Sequence, residues 1–151
     1  MKAKILFPAV AFVLILLMIV YFLFNPSYER SLEAKYYYEI GNYQKAYKLA
    51  NEAFSMDIYN RMASTIMAQS KTSMKYQNYI RQAKAYLKEI NAIVSQPNIS
   101  DGDRAKIRMM SEIMVESYVK LAPSVITESS LVAEAARYYE NFEQLLEKVN
   151  R

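Results

Sequence analysis

From Ile5 to Phe24 the chain reads ILFPAVAFVLILLMIVYFLF, twenty residues without a charge. Wound into an α-helix at ~1.5 Å per residue, such a run measures roughly 30 Å, the hydrocarbon thickness of a bilayer. It is apolar all round, so it has no face to turn to water, which argues against a core helix. Tyr21, Phe22 and Phe24 fall at one end, where aromatic rings favour the membrane interface. Pro8 falls in the first turn, where a missing N–H costs least. The residues that close the run, Tyr21-Phe22-Leu23-Phe24-Asn25-Pro26, are too bulky for a signal-peptide cleavage site, and a lipoprotein signal would need a cysteine. Residues 1–24 therefore read as an uncleaved signal-anchor transmembrane helix, and residues 25–151 as the domain it carries.

Lys2, Lys4 and the α-amino group precede the run, while Arg30 and Lys35 follow it. The positive-inside rule then favours a cytoplasmic N-terminus and an exported C-terminal domain. In a bacterium this means a single-pass protein of the inner membrane with a periplasmic domain.

The domain is expected to be all-α. Only two glycines (Gly41, Gly102) and four prolines (Pro8, Pro26, Pro97, Pro123) punctuate 151 residues, too few for the turns of a sheet. Ala, Leu, Met, Glu, Lys, Arg and Gln, all good helix formers, fill much of the rest. There is no cysteine and no histidine. This removes thiolate nucleophiles, the commonest general base, the commonest metal ligand and every triad built on histidine. No glycine-rich phosphate loop or nucleophile–base pair is present, and Asp101 and Asp103 beside Gly102 lack the further ligands of a calcium loop. The expectation is a protein with no enzymatic activity, no cofactor and no metal site. Beyond the anchor, 17 basic residues face 15 acidic ones, which gives no reason to invoke nucleic acid.

About six antiparallel helices, stacked as helical hairpins, are expected after the anchor. Leu32, Tyr36 and Ile40 recur every four residues and mark the buried stripe of the first, which Gly41-Asn42 ends. A second helix carries Tyr43, Ala46, Tyr47, Ala50, Ala53 and Phe54 on one stripe, and so short a turn requires the two to pack antiparallel. Tyr59, Met62, Ala63, Ile66, Met67 and Met74 make a third stripe; Tyr76, Tyr79, Ile80, Ala83, Leu87, Ile90 and Val94 make a fourth. No glycine separates these two, so they either turn or run on as one bent helix. Ser100-Asp101-Gly102-Asp103 reads as the cap of a fifth helix, with Ile107, Met110, Met114, Tyr118 and Leu121 buried and Pro123 interrupting it. The last helix, from about Glu128 to Val149, spaces Leu131, Ala135, Tyr138, Phe142, Leu145 and Val149 as a heptad seam. That seam either closes the helical stack or joins two copies of the chain.

Gly41 to Asp57, GNYQKAYKLANEAFSMD, resembles the second half of a tetratricopeptide repeat, a helix–turn–helix unit of about 34 residues. In that register Ala34 takes the small position of the first helix and Tyr37 the aromatic one, with Ala46 and Ala53 at the small positions of the second. Arg30, Glu33, Ala50 and Ile58 depart from the pattern. Residues 27–60 are the best-matching repeat, 61–96 a degenerate one, and 100–150 the C-terminal helices. The resemblance implies a protein-binding module whose first helices line a groove for a partner segment. Those positions fall on Ser31, Lys35, Tyr38 and Glu39, and in the second repeat on Thr65, Gln69 and Thr72. Tyr36, Tyr37 and Tyr38 span an arc of about 200°, too wide for all three to enter one core. Tyr38, farthest from the Leu32–Tyr36–Ile40 stripe, is expected outside as an anchor for the partner.

Charge adds a second candidate surface. From Ile58 to Lys88 there are six basic residues and no acidic one, and Arg81, Lys84 and Lys88 share one flank of the fourth helix. From Glu128 to Glu147 the chain is acidic, with Glu128, Glu134, Glu140, Glu143 and Glu147 against Arg137. The flank is either a solvated face or a docking site for an acidic partner. Together these features point to an anchored scaffold or adaptor that binds other proteins of a bacterial envelope assembly, such as a structural accessory of the flagellar motor. The alternatives are a chaperone-like module holding exported polypeptides at a translocation channel, and a subunit of an enzyme or transporter with no catalytic residues of its own.

Overall fold

The computed structural model describes residues 3–122 and 127–149, and within the first helix the side chains of residues 7–21 and 24. The expected break at Pro123 and the interfacial placing of Phe22 lie outside that description. The described residues form six helices and no strand: α1 (Ala3–Phe24), α2 (Pro26–Glu39), α3 (Tyr43–Met56), α4 (Arg61–Val94), α5 (Asp101–Val119) and α6 (Ser129–Val149). The all-α expectation holds. Of the two alternatives for the third and fourth stripes, the continuous one holds: both lie on the 34-residue α4, and five described helices follow α1. The sequence between Arg61 and Val94 contains neither glycine nor proline, and nothing local ends the hydrogen-bond ladder.

The chain divides into two compact units, Met1–Ser70 and Lys71–Arg151, with the boundary inside α4. In unit 1, every described side chain of α1 is exposed, among them Phe7 at 82% and Phe12 at 64%. Among the described residues no single helix is long and apolar enough to cross a membrane; Phe7–Tyr21 and Pro26–Glu39 reach that length together but are bent by 71°. Asn25 separates the two helices and caps α2, its side chain accepting from the Ser27 N–H at 3.0 Å, with Pro26 at the first helical position.

The turn from α2 to α3 is built by Gly41. At φ +77° it occupies the left-handed region, its N–H donates to the Tyr38 carbonyl at 3.0 Å, and the Asn42 N–H donates to the Tyr37 carbonyl at 2.9 Å. This pair of bonds is the Schellman motif, which satisfies carbonyls that the helix end would leave open. Asn42 then caps α3 by accepting from the Lys45 N–H at 3.2 Å. The two helices run antiparallel, because Ser27 at the start of α2 donates to the Ala53 carbonyl at the end of α3 at 2.8 Å. Ala34, Ala46, Ala50 and Ala53, all fully buried, let the helices approach closely, and Leu49 and Ile66 complete the cluster.

In unit 2 the later part of α4 packs with α5 and α6 around Tyr76, Ile80, Ile90, Met110, Met114 and Phe142. A capping box starts α5: the Ser100 side chain accepts from the Asp103 N–H at 3.1 Å, and the Asp103 carboxylate accepts from the Ser100 N–H at 3.0 Å. The heptad residues of α6 face this core, Ala135 and Phe142 with no exposed surface and Leu131, Tyr138, Leu145 and Val149 packed around them. The seam therefore faces the core of its own unit.

Candidate functional site

The stripe expected to bury α2 is its outer face. Leu32, Tyr36 and Ile40 are 56%, 61% and 56% exposed, while Ser27, Ser31 and Ala34 face inward. The reason lies beyond the helix. Asn60, just ahead of α4 and with no exposed surface, donates from Nδ2 to Ser27 Oγ and Ser31 Oγ, each at 2.8 Å. Its Oδ1 accepts from the Ala63 N–H at 3.1 Å, capping α4. Ser31 Oγ in turn donates to the Ser27 carbonyl at 2.9 Å. A buried polar group is tolerated when it is hydrogen-bonded, and here the partner comes from about thirty residues away in sequence. The two serines can therefore go inside and the large apolar residues of α2 stay out.

This placement corrects three sequence expectations. Ser31, assigned to the partner groove, is fully buried and cannot touch a partner. Tyr38, expected outside, is half-buried against the Ala34–Ala46 cluster, with its ring 5.2 Å from that of Tyr43. Tyr36 is the exposed member of the tyrosine trio, its ring edge-on to Tyr37 at 5.4 Å. Tyr37 is half-buried, with Lys45 Nζ over its ring at 3.8 Å and donating to its hydroxyl. Lys35 and Glu39 are exposed, as expected, and at 100° per residue they flank the Leu32–Tyr36–Ile40 stripe. Glu29 and Glu33 lie on its other side, Glu33 paired with Arg30 at 3.1 Å. In α4, Thr65 is exposed, whereas Gln69 and Thr72 are half-buried. Val94 and Tyr59, counted as core, are 53% and 83% exposed; Ile93 takes the buried place beside Val94, and Tyr59 belongs to the turn before α4.

The result is an apolar strip two turns long, at successive i, i+4 positions, bordered by charges of both signs. Scattered exposed hydrophobes are ordinary, but an aligned aliphatic–tyrosine–aliphatic row with a charged rim has the anatomy of a protein interface. A smaller row, Met109 and Ile113, is exposed on α5 in unit 2.

The basic flank is partly engaged within its own unit. Lys84 pairs with Glu134 of α6 at 2.9 Å, and the Glu134 carboxylate, through hydrogen bond and charge, raises the ammonium's pKa above its ordinary value. Arg81 donates to Asn78 at 2.8 Å, and Lys88 is exposed. A shallow recess beside them is lined by Ile80, Leu131 and Glu134. One pair of the complementary charges of α4 and α6 thus meets within unit 2.

Among the described residues no group of three or more acidic side chains is placed to hold a metal ion. Asp103 is engaged by Ser100, whose side-chain and backbone hydrogen bonds hold its carboxyl below the usual range. Comparison of the chain with protein-family models, with curated proteins and with solved structures finds no match.

Proposed function

We propose that this chain is a membrane-anchored adaptor without catalytic activity, which holds another protein of the bacterial envelope against the outward face of α2. The observation that carries the reading is the exposed row Leu32–Tyr36–Ile40, set immediately after a helix that is apolar and exposed on every described side chain. A helix whose described side chains are apolar and exposed all round is suited to lipid as its solvent. The described side chains Phe7–Tyr21 are shorter than a span, and the uncharged sequence Ile5–Phe24 supplies the remaining length. Lys2 and Lys4 before that run favour a cytoplasmic N-terminus and a periplasmic domain in the inner membrane.

The likeness to a tetratricopeptide repeat supports a binding role, and it is confined to one hairpin. Ala34, Ala46 and Ala53, the small positions of that register, are all fully buried between helices. The second repeat has no counterpart hairpin, since α4 is continuous. Binding is accordingly assigned to the outer face of α2 rather than to a groove made by successive repeats. A structural accessory of a large envelope machine, such as the flagellar motor, is the assembly this arrangement suits.

The test is co-purification after mild detergent extraction, comparing the parent with Leu32→Glu and Tyr36→Glu. Both positions are outside the core, so helix content should be unchanged while a stoichiometric partner is lost. Retention of the partner by both well-folded variants would remove α2 as the docking face. Transient crosslinks to many exported proteins, with no stoichiometric complex, would favour the chaperone-like role instead.

A further inference from the structure

The end of α3 and the turn from it to α4 carry three large apolar residues within four positions, Met56, Ile58 and Tyr59, exposed by 57%, 63% and 83%. It is not a loose loop. The Tyr59 N–H donates to Asp57 Oδ1 at 2.9 Å and the Asn60 N–H to the Asp57 carbonyl at 3.1 Å. Asn60 itself is fully buried and bonded to Ser27 and Ser31. With Asp57 bonded across the turn and Asn60 tied inward, Ile58 and Tyr59 form its exposed tip. The same bonds fix where the tip lies. Ser27, which joins Asn60 and the Ala53 carbonyl, is two residues beyond Asn25, and a recess beside it is lined by Tyr21, Asn25, Pro26, Met56 and Asp57. The turn therefore stands beside the end of α1 at which the chain leaves that helix.

We infer that this turn rests in the lipid interface next to α1, so that the membrane holds unit 1 at two points. The inference builds on the anchored reading of α1. Lipid is the occupant that continuity selects, because the apolar surface of the turn adjoins the exposed apolar surface of α1 near Tyr21. The chemistry agrees: an aromatic ring with a polar tip favours the headgroup level, Ile58 and Met56 favour the acyl boundary, and the exposed Arg61 that follows suits headgroup phosphates. A preordered tip also loses little conformational freedom on insertion, as a flexible loop would not.

The absence of cysteine from the chain makes the test direct. Single variants Ile58→Cys, Phe24→Cys, Val13→Cys and Lys48→Cys of the full chain are labelled with an environment-sensitive fluorophore and reconstituted into phosphatidylcholine–phosphatidylglycerol vesicles. Some vesicles carry lipid with a nitroxide near the headgroup, others with one deep in the acyl chain. The inference expects the label at Ile58→Cys to lose fluorescence to the shallow nitroxide as strongly as that at Phe24→Cys, with the label at Lys48→Cys unquenched. A label at Ile58→Cys no more quenched than that at Lys48→Cys overturns it and frees the turn for a protein partner. The anchor is judged separately: a label at Val13→Cys untouched by the deep nitroxide would overturn the span, while quenching at Ile58→Cys would still establish the lipid contact of the turn.

Discussion

In unit 1 the helix contacts are lined by Ala34, Ala46, Ala50 and Ala53 and tied by the buried Ser27–Ser31–Asn60 hydrogen bonds. In unit 2 the space between helices is filled by Tyr76, Ile80, Ile90, Met110, Met114 and Phe142. Alanines bury little apolar area each, so the first arrangement relies on close backbone approach and satisfied polar groups. The second relies on the area and fit of large side chains. Both units leave large apolar residues outside, Met109, Ile113 and Val119 among them in unit 2. A hairpin cemented by small residues leaves Leu32, Tyr36, Ile40, Met56, Ile58 and Tyr59 unused by its core and available to lipid or to another protein.

Truncation should separate the two most clearly. Phe142→Ala in unit 2 is expected to cost about 3–5 kcal/mol in denaturant melts of the detergent-solubilised chain, because the ring is wholly buried. A loss below about 1 kcal/mol would mean that α6 is not a core helix. Unit 1 should respond to added bulk. Ala46→Leu or Ala53→Leu is expected to overpack the hairpin by about 1–3 kcal/mol, and parental melting of both would remove the close approach from the account. Asn60→Ala removes the cap of α4 and the donor to both serines, an expected loss of about 0.5–2 kcal/mol.

The smallest effects are in pH. Asp103 is held below its ordinary value of 3.8 by Ser100, so the folded state favours the charged carboxylate. Its contribution is present above that ordinary value and is lost as pH falls through the lowered folded value. Ser100→Ala should flatten the acid limb of a stability–pH curve. At the alkaline end, burial first and then the neighbouring Tyr118 and Tyr139 push the Tyr79 phenol above its ordinary 10.0. The neutral phenol's contribution is complete below that ordinary value and declines as pH rises above it. Tyr79→Phe should shrink that alkaline decline, leaving the smaller part due to Tyr76 and Tyr139, whose phenols are also raised, and an unchanged alkaline limb would place the sensitivity elsewhere.

What the sequence makes legible here is local. The Gly41 stop, the Ser100–Asp103 cap and, apart from Val94, the stripes of unit 2 follow from a few adjacent residues or one helical period, and the structure places them where the pattern does. The face of α2 is not legible that way. Large apolar residues normally outrank serine for burial, so periodicity favours Leu32–Tyr36–Ile40 as the inner stripe. What reverses the helix is Asn60, a single residue far along the chain whose side chain satisfies both serines. An asparagine just ahead of a helical run signals a cap, but its second role toward α2 has no local signature. For this reason Lys35 and Glu39 stand at the rim of the exposed row, whereas Ser31 is buried and Tyr38 half-buried against the hairpin core. The continuity of α4 was half legible, since the sequence there lacks any residue that stops a helix.

The central claim is that the outward face of α2 docks a protein partner. It is tested most directly by placing a photo-crosslinking amino acid singly at Leu32, Tyr36 or Ile40, and for contrast at Lys48 on α3, in the native membrane. The account expects one discrete adduct of the same partner from all three α2 positions and none from Lys48. No adduct from any of the three, with a discrete protein adduct from Lys48 instead, would contradict it.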